Sequence, residues 1–223
     1  MKFGVGIVPH DLTKTAVSAR LAEDLGFDYI GIPDSQSLWR ELYLSLSVVA
    51  NVTSKVRIGP TVTNALTRHP AVAASAIATL NEISGGRAFL GIGSGDSAIL
   101  NLGLRPARLS EMKEYIEALR ALLSGQSHDY RGRSIHVQWS ENPVPIVMSA
   151  EGPKTLALAG GIADAVIIHS GLTTDVRIED KSGIDDSGRN WRHHDLRARR
   201  RHHPQHHGVE QRGSAAAIDV REG

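Results

Sequence analysis

The chain has 223 residues, with 25 Lys and Arg against 24 Asp and Glu for a net charge of +1, and no cysteine. The near balance of charge excludes the global positive field that draws a protein to nucleic acid or an anionic membrane, and the missing cysteine excludes disulfides, thiolate nucleophiles and Cys-ligated zinc. The length suits one α/β domain with a sizeable core, with or without a tail.

Phe3 to Val8 read as a buried strand that ends at Pro9-His10-Asp11. This start lacks the long apolar segment of a secretion signal, and no uncharged stretch reaches the roughly 18 apolar residues of a membrane helix. A cytoplasmic protein with no membrane partner is the expectation. Asp11 or Thr13 can cap a helix with Val17, Leu21 and Leu25 as its apolar face and Gly26 as its stop. Phe27 to Ile32 form a second strand that leaves through Pro33-Asp34-Ser35, and a helix follows around Leu38 to Val52. Val56 and Ile58 carry a third strand to Gly59-Pro60. Pro70 suits a first helical position and Gly85-Gly86 a stop, with Ala73, Ile77, Leu80 and Ile83 on one face. Ala88 to Ile92 make a fourth strand that runs out into Gly93-Ser94-Gly95-Asp96.

Met112, Ile116, Leu119 and Leu123 stripe the next helix, which stops at Gly125. Residues 126–144 are polar and aromatic and suggest a small hairpin outside the main sheet. Pro145 to Ser149 give a fifth strand that exits at Ala150-Glu151-Gly152-Pro153. A short helix over Lys154–Ala159 ends at Gly160-Gly161, and Ala165 to Ile168 give a sixth strand with His169-Ser170-Gly171 at its exit.

Strands alternating with helices imply a parallel sheet with helical crossovers. A doubly wound sheet gathers ligand residues at one switch point, whereas a (β/α)8 barrel spreads them over many strand ends. Polar residues follow every strand here, which favours an α/β TIM-type barrel. Such a barrel needs eight strands in about 250 residues, and the sequence supplies six strands. The expectation is therefore a barrel over residues 1–171, truncated after about six strands, with two unpaired edges that invite aggregation. From Leu172 no apolar period persists, and Arg189–Gly208 hold six of the 11 histidines together with six arginines. An out-of-frame or truncated end is the favoured reading of residues 172–223, and a metal- or nucleic-acid-binding module the alternative.

The motif search is mostly exclusion. Gly91–Asp96 spell G-I-G-S-G-D, in which the third glycine falls one residue early for a dinucleotide fingerprint. No Gly-Lys pair, no His-Glu pair and no G-x-S-x-G elbow occurs. What those glycines permit is close approach of bare backbone to a flat or anionic ligand; a tight turn without a ligand is the competing explanation. Gly152-Pro153 open a helix whose free amides, with Lys154 nearby, suit a phosphate, although an ordinary Pro-initiated helix looks the same. Asp34 and Asp96 both follow strand ends, so in a barrel they face one mouth and can serve as an acid/base pair or bind a heterocycle. His10 and His69 are further candidates for proton transfer. Taken singly, each of these four is more often a cap or a solvated side chain.

Five ordered blocks then carry a resemblance across residues 1–171. They are M-K-F-G-V-G-I-V-P, L-A-E-D-L-G-F-D-Y, G-P-T-V-T-N, the run from Pro70 to Asp96, and M-S-A-E-G-P-K-T-L-A-L-A-G-G-I-A-D-A-V-I-I. Together they resemble the luciferase-like superfamily of flavin- and deazaflavin-dependent oxidoreductases, most closely the branch containing coenzyme F420-dependent methylene-tetrahydromethanopterin reductase. The resemblance implies a (β/α)8 barrel, usually a homodimer, with the ring of FMN or coenzyme F420 in its mouth. It implies a bulge with a non-prolyl cis peptide at Thr61–Val62 backing the ring, and Gly93, Ser94, Gly95 and Asp96 along the ring edge and substrate side. It implies phosphate binding by Ala150, Glu151, Gly152 and Pro153, and matches Asp34 to the family's acidic residue after the second strand. The implied chemistry is hydride transfer to or from a small organic substrate, with Asp34, Asp96 and His10 as the catalytic candidates. An FMN-dependent monooxygenase, or a truncated flavin-binding chain without turnover, are the alternatives. The sequence departs from that branch at Gly6, where the reductases carry glutamate, and at Ser35, where many relatives carry histidine after the aspartate.

Overall fold

The computed structural model describes residues 2–140 and 143–168, and within them an arc of parallel strands is wrapped by helices. In chain order the elements are β1 (Gly4–Gly6), α1 (Leu12–Asp24), β2 (Tyr29–Ile32), α2 (Leu42–Val52), β3 (Arg57–Pro60) and β4 (Thr63–Asn64). Then follow α3 (Pro70–Ile83), β5 (Leu90–Gly93), α4 (Ser97–Leu100) and α5 (Leu109–Leu123). The described chain closes with β6 (His128–Tyr130), β7 (Arg133–Ile135), β8 (Ile146–Ser149), α6 (Pro153–Ile162) and β9 (Ala165–Ile167). The sixth strand's exit at His169-Ser170-Gly171 and the Arg/His-rich segment 172–223 lie outside the described residues.

Pairing is parallel from β1 to β2 to β3, and again from β4 to β5 to β8 to β9. The two runs join where Ile58 pairs with Ala88, through Ile58 N–H to the Arg87 carbonyl and Phe89 N–H to the Ile58 carbonyl, each 3.0 Å. The third strand is thus two pieces, β3 and β4, that share one neighbour and are separated by a bulge at Thr61-Val62. Because every pairing is parallel, all strand exits lie along one edge of the arc.

Outside the arc α1 packs on α2, α2 on α3, α3 on α5 and α5 on α6. Alternation along the strands separates two faces. Ile30, Ile32, Leu90, Ile92, Ile146 and Met148 point toward the helices and belong to the large core. Tyr29, Phe89, Val147 and Ile167 point the other way and form a small inner cluster with Val62 and Ala165, Tyr29 meeting Phe89 edge-on at 5.8 Å. The same alternation puts Gly31, Gly59, Gly91 and Gly93 on the inner face.

Most of the sequence reading holds. Met112, Ile116, Leu119 and Leu123 are buried on α5, each worth about 1.5–3 kcal/mol of transfer free energy. Asp11 caps α1 by accepting from Lys14 N–H at 2.8 Å, and Gly26, Gly85, Gly86 and Gly125 take positive φ at helix ends. The hairpin outside the sheet is β6–β7, turned by Arg131 and Gly132 at φ 54° and 75°, the two-residue geometry that matches strand twist.

Four expectations are corrected. Val17, Leu21 and Leu25 are 63%, 56% and 68% exposed, and α1 instead buries Thr15, Ala19 and Ala22. Small residues let its backbone come close to its neighbours, which a leucine stripe would prevent. Ile83 is likewise exposed, while Ala73, Ala74, Ile77, Ala78 and Leu80 bury α3. The second helix starts at Leu42 and not near Leu38, because the Glu41 carboxylate caps it through Leu44 N–H at 2.8 Å. Finally α6 runs through Gly160 and Gly161 to Ile162, since neither glycine adopts positive φ. Among the described residues no helix is long and apolar enough to cross a membrane.

Candidate active site at the strand exits

The rim begins with the bulge. The Thr61–Val62 peptide is cis, and Thr61 N–H still donates to the Ile32 carbonyl at 2.8 Å, so the third strand stays registered on the second up to the point where it departs. Its side chains fill the space the inner glycines leave open. A Cβ at Gly31 would overlap the Thr61 side chain, and one at Gly93 would stand 2.9 Å from Val62 Cγ2. Glycine at both positions is therefore what lets the bulge lie flat against the inside of the arc, presenting Val62 and bare backbone toward the opening.

β4 then delivers a loop built for one side chain. Asn64 Oδ1 accepts from Leu66 N–H and Thr67 N–H at 3.0 and 2.9 Å, and Tyr115 Oη donates to the Arg68 carbonyl at 3.0 Å. Held this way, Arg68 donates from Nη1 to Asp34 Oδ2 at 2.6 Å and from Nη2 to Glu41 Oε1 at 2.8 Å. Thr63 Oγ1 donates to the same Asp34 oxygen at 2.6 Å. The Asp34 side chain is 4% exposed. Burial opposes the charge on Arg68, but its hydrogen bonds to Asp34 and Glu41 hold the guanidinium above its ordinary range. Arg68 also lies over the Tyr43 ring at 5.2 Å, and burial pushes the Tyr43 phenol up despite that cation.

The other exits are more open. His10 is exposed and meets Trp39 edge-on at 4.7 Å. Asp96 occupies the N-cap position of α4 without a capping hydrogen bond, and its exposed carboxylate has no partner among the described residues. The adjoining Ser94 carbonyl is fixed by Ala107 N–H at 2.8 Å, and Gly95 takes φ 101° where a Cβ would meet Ile99. Gln36 Nε2 donates to the Ala98 carbonyl at 2.7 Å and so ties the loop after Asp34 to the helix after Asp96. At the β8 exit Ala150 is buried and donates to the Ile167 carbonyl at 3.0 Å, while Glu151 is exposed. Gly152 caps α6 with no side chain bonded to its first turn, which leaves the amides of Lys154 and Thr155 available to an anion.

Topology thus brings Asp34, Thr61, Val62, Gly93–Asp96, Ala150–Pro153 and His10 to one edge of the sheet. His69 is a different case. It caps α3 through Nδ1 and packs edge-on against Tyr130 at 5.3 Å, which is structural work. Thr63, Glu41 and Arg68 are site residues that the sequence reading missed. Their only signal was Arg68 standing two residues ahead of the helix-opening proline in T-R-H-P, where a solvated arginine reads the same.

The described residues fit a flat heterocycle with a phosphate tail. The strand-exit backbone at Gly93–Gly95 carries a single short side chain, so a flat group can approach it closely, and the uncapped turn of α6 offers amide donors to an anion.

Comparison with known proteins gives these observations a family. The model of the luciferase-like monooxygenase family matches residues 2–181. A 5,10-methylenetetrahydromethanopterin reductase of Methanolobus tindarius is 38% identical over 209 residues, covering 89% of this chain and 64% of the relative. An F420-dependent glucose-6-phosphate dehydrogenase of Nakamurella multipartita is 33% identical, covering 81% of this chain and 60% of the relative. The solved coenzyme F420-dependent tetrahydromethanopterin reductase of Methanopyrus kandleri superposes with a TM-score of 0.69 at 32% identity, covering 75% of this chain and 55% of that one. An F420-dependent secondary alcohol dehydrogenase shares the fold at 21% identity and a TM-score of 0.65. The chain spans less than two thirds of the length of these relatives. The architecture is that of a luciferase-like TIM barrel, of which the described residues supply six strands.

Proposed function

Because this chain belongs to the luciferase-like monooxygenase family, we propose that it is an oxidoreductase which binds a deazaflavin or flavin, coenzyme F420 or FMN, at the strand-exit rim. The reaction is hydride transfer to or from a small organic substrate. The bound ring supplies the hydride chemistry, and the protein supplies position, charge and proton handling. The observation that carries this reading is the order along the rim, where the Thr61–Val62 bulge and the bare backbone at Gly93–Gly95 lie between Asp34, after β2, and Asp96, after β5. The relatives named above as F420-dependent, the Nakamurella multipartita dehydrogenase and the Methanopyrus kandleri reductase, favour the deazaflavin.

In this reading Val62 and Gly93–Gly95 hold the ring, and Ala150–Pro153 with the first turn of α6 bind a phosphate. Asp34, fixed by two donors, accepts a hydrogen bond from ring or substrate. Asp96, which has no protein partner among the described residues, is the carboxylate free to exchange a proton with substrate, and exposed His10 is the second such group. A homodimer is part of the proposal, supported by exposed Leu44 and Val72 on the adjacent helices α2 and α3; light scattering reads it directly.

The absorption spectrum of purified, unsupplemented protein tests the cofactor first. Titration with F420 and with FMN, followed by tryptophan fluorescence, tests it again, since Trp39 packs on His10 at the rim. Saturable quenching by one of them is the expected result. No co-purified chromophore and no response to either would overturn the proposal.

A further inference from the structure

The Asp34 carboxylate is asymmetric in a way that assigns work to residues outside the rim. Both of its protein partners, Thr63 Oγ1 and Arg68 Nη1, donate to Oδ2 at 2.6 Å, and Oδ1 has no partner among the described residues. Asp34 sits after β2, whereas Thr63 and Arg68 come from β4 and the loop that follows, so the contact crosses from one strand exit to the next. Arg68 is itself held from four sides. Glu41 takes its second nitrogen at 2.8 Å, the Tyr43 ring lies 5.2 Å beneath, Tyr115 binds its carbonyl, and Asn64 folds the loop that carries it. Glu41 cannot easily yield, because its other oxygen caps α2 through Leu44 N–H.

We propose that Arg68, with Thr63, is a positioning residue that locks Asp34 in a single orientation and reserves its Oδ1 for the bound ring or substrate. A guanidinium suits the task, since its two terminal nitrogens, fixed relative to each other, donate to Asp34 and to Glu41 at once, whereas a lysine ammonium is a point charge on a flexible stem. Thr63 contributes a second donor to the same oxygen, so the carboxylate cannot rotate without breaking both bonds. This proposal rests on the cofactor reading above, and its test separates the two.

Affinity for F420, read from its absorbance near 420 nm on titration, is measured for wild type, Arg68→Ala, Asp34→Asn and the double variant, with folding checked by circular dichroism. Arg68→Ala is expected to weaken binding about tenfold, the equivalent of losing one charge-assisted hydrogen bond. In the Asp34→Asn background the same change is expected to do little, because the carboxylate it positions is gone. Arg68→Lys should restore part of the loss. If Arg68→Ala does not fold, Thr63→Val, which keeps shape and removes one donor, is expected to show the same dependence on Asp34. An equal loss in both backgrounds would mean that Arg68 only supports its loop, and overturns the proposal. An experimental structure of Arg68→Ala or Thr63→Val, with no cofactor required, gives a second readout. Asp34 turned away from its present rotamer supports the positioning role, and Asp34 unmoved overturns it. Failure of wild type to bind F420 or FMN sinks the cofactor reading instead.

Discussion

Gly31→Ala probes how the rim is assembled. The Cβ it adds would overlap Thr61 Oγ1 and Cγ2 and stand 2.8 Å from Thr61 Cβ, closer than real Cβ contacts come. Thr61 has little freedom to retreat. Its N–H is bonded to the Ile32 carbonyl at 2.8 Å, and the next residue, Val62, lies against the places where a Cβ on Gly91 or Gly93 would stand. Overpacking of this kind costs about 1–3 kcal/mol. Gly31 does not take positive φ, so alanine recovers about 0.5–1 kcal/mol of backbone entropy, and the net loss is about 0.5–2 kcal/mol. Thr61→Gly removes the three atoms that stand nearest the new methyl. In that background Gly31→Ala should be neutral or slightly stabilising, which makes the coupling between the two sites at least about 1 kcal/mol. Urea unfolding of the four proteins, compared at constant m-value, measures it. An equal destabilisation with and without the Thr61 side chain would refute the account of the inner face.

Burial opposes ionisation of Glu23, but the amides of Val56, Lys55 and Ser54 outweigh it and hold the carboxyl near 2. A carboxyl depressed on folding stabilises fully above its ordinary value of 4.5, and the contribution is lost as pH falls from there to about 2. Glu23→Gln should therefore cost about 1 kcal/mol at neutral pH, discounted for exposure, and should flatten the acid limb of a melting-temperature profile; a parallel profile would count against it. In α6, Gly161 has helical backbone and open space where a Cβ would go, so Gly161→Ala should raise stability by about 0.5–1 kcal/mol in thermal unfolding. Asp96→Asn should leave the unfolding midpoint within about 0.5 kcal/mol of wild type yet slow hydride transfer by about 100-fold if Asp96 handles the proton. An unchanged rate removes Asp96 from the reaction.

What the sequence made legible was the order and kind of the elements. α5 is amphipathic with Met112, Ile116, Leu119 and Leu123 inward, and helix stops at Gly26, Gly85-Gly86 and Gly125 all coincide with positive φ. Strand exits were legible for the same reason, because a parallel strand must leave its sheet through polar or glycine-rich residues. The α1 face was not. Val17, Leu21 and Leu25 satisfy the helical period as well as Thr15, Ala19 and Ala22 do, and only packing decides which set is buried. Gly31 and Gly91 were read inside strands, but their inner-face packing was not legible, since period-2 alternation shows itself only when the alternating residues are large. Tyr29-Ile30-Gly31 and Phe89-Leu90-Gly91 hide it. Thr63 and Arg68 escaped notice because their partner Asp34 lies 29 and 34 residues away, and no local pattern records so distant a contact.

The two rim carboxylates differ in how they are held, and the difference bears on what each can do. Asp34 is 4% exposed and loses two donors if it takes a new orientation. Asp96 is exposed, has no protein donor among the described residues, and follows a glycine at φ 101°. A catalytic site gains from a fixed acceptor when the task is to orient a ligand, because no reorganisation is then needed on binding. It gains from an unengaged group when the task is to take up or release a proton, because no hydrogen bond has to break first. Gln36 links the two loops through the Ala98 carbonyl, so the unengaged carboxylate is still carried on a segment registered to the fixed one. On these grounds we propose that Asp34 orients and Asp96 exchanges protons, a division that the Asp34→Asn and Asp96→Asn variants test as a loss of cofactor affinity in the first and a loss of rate in the second.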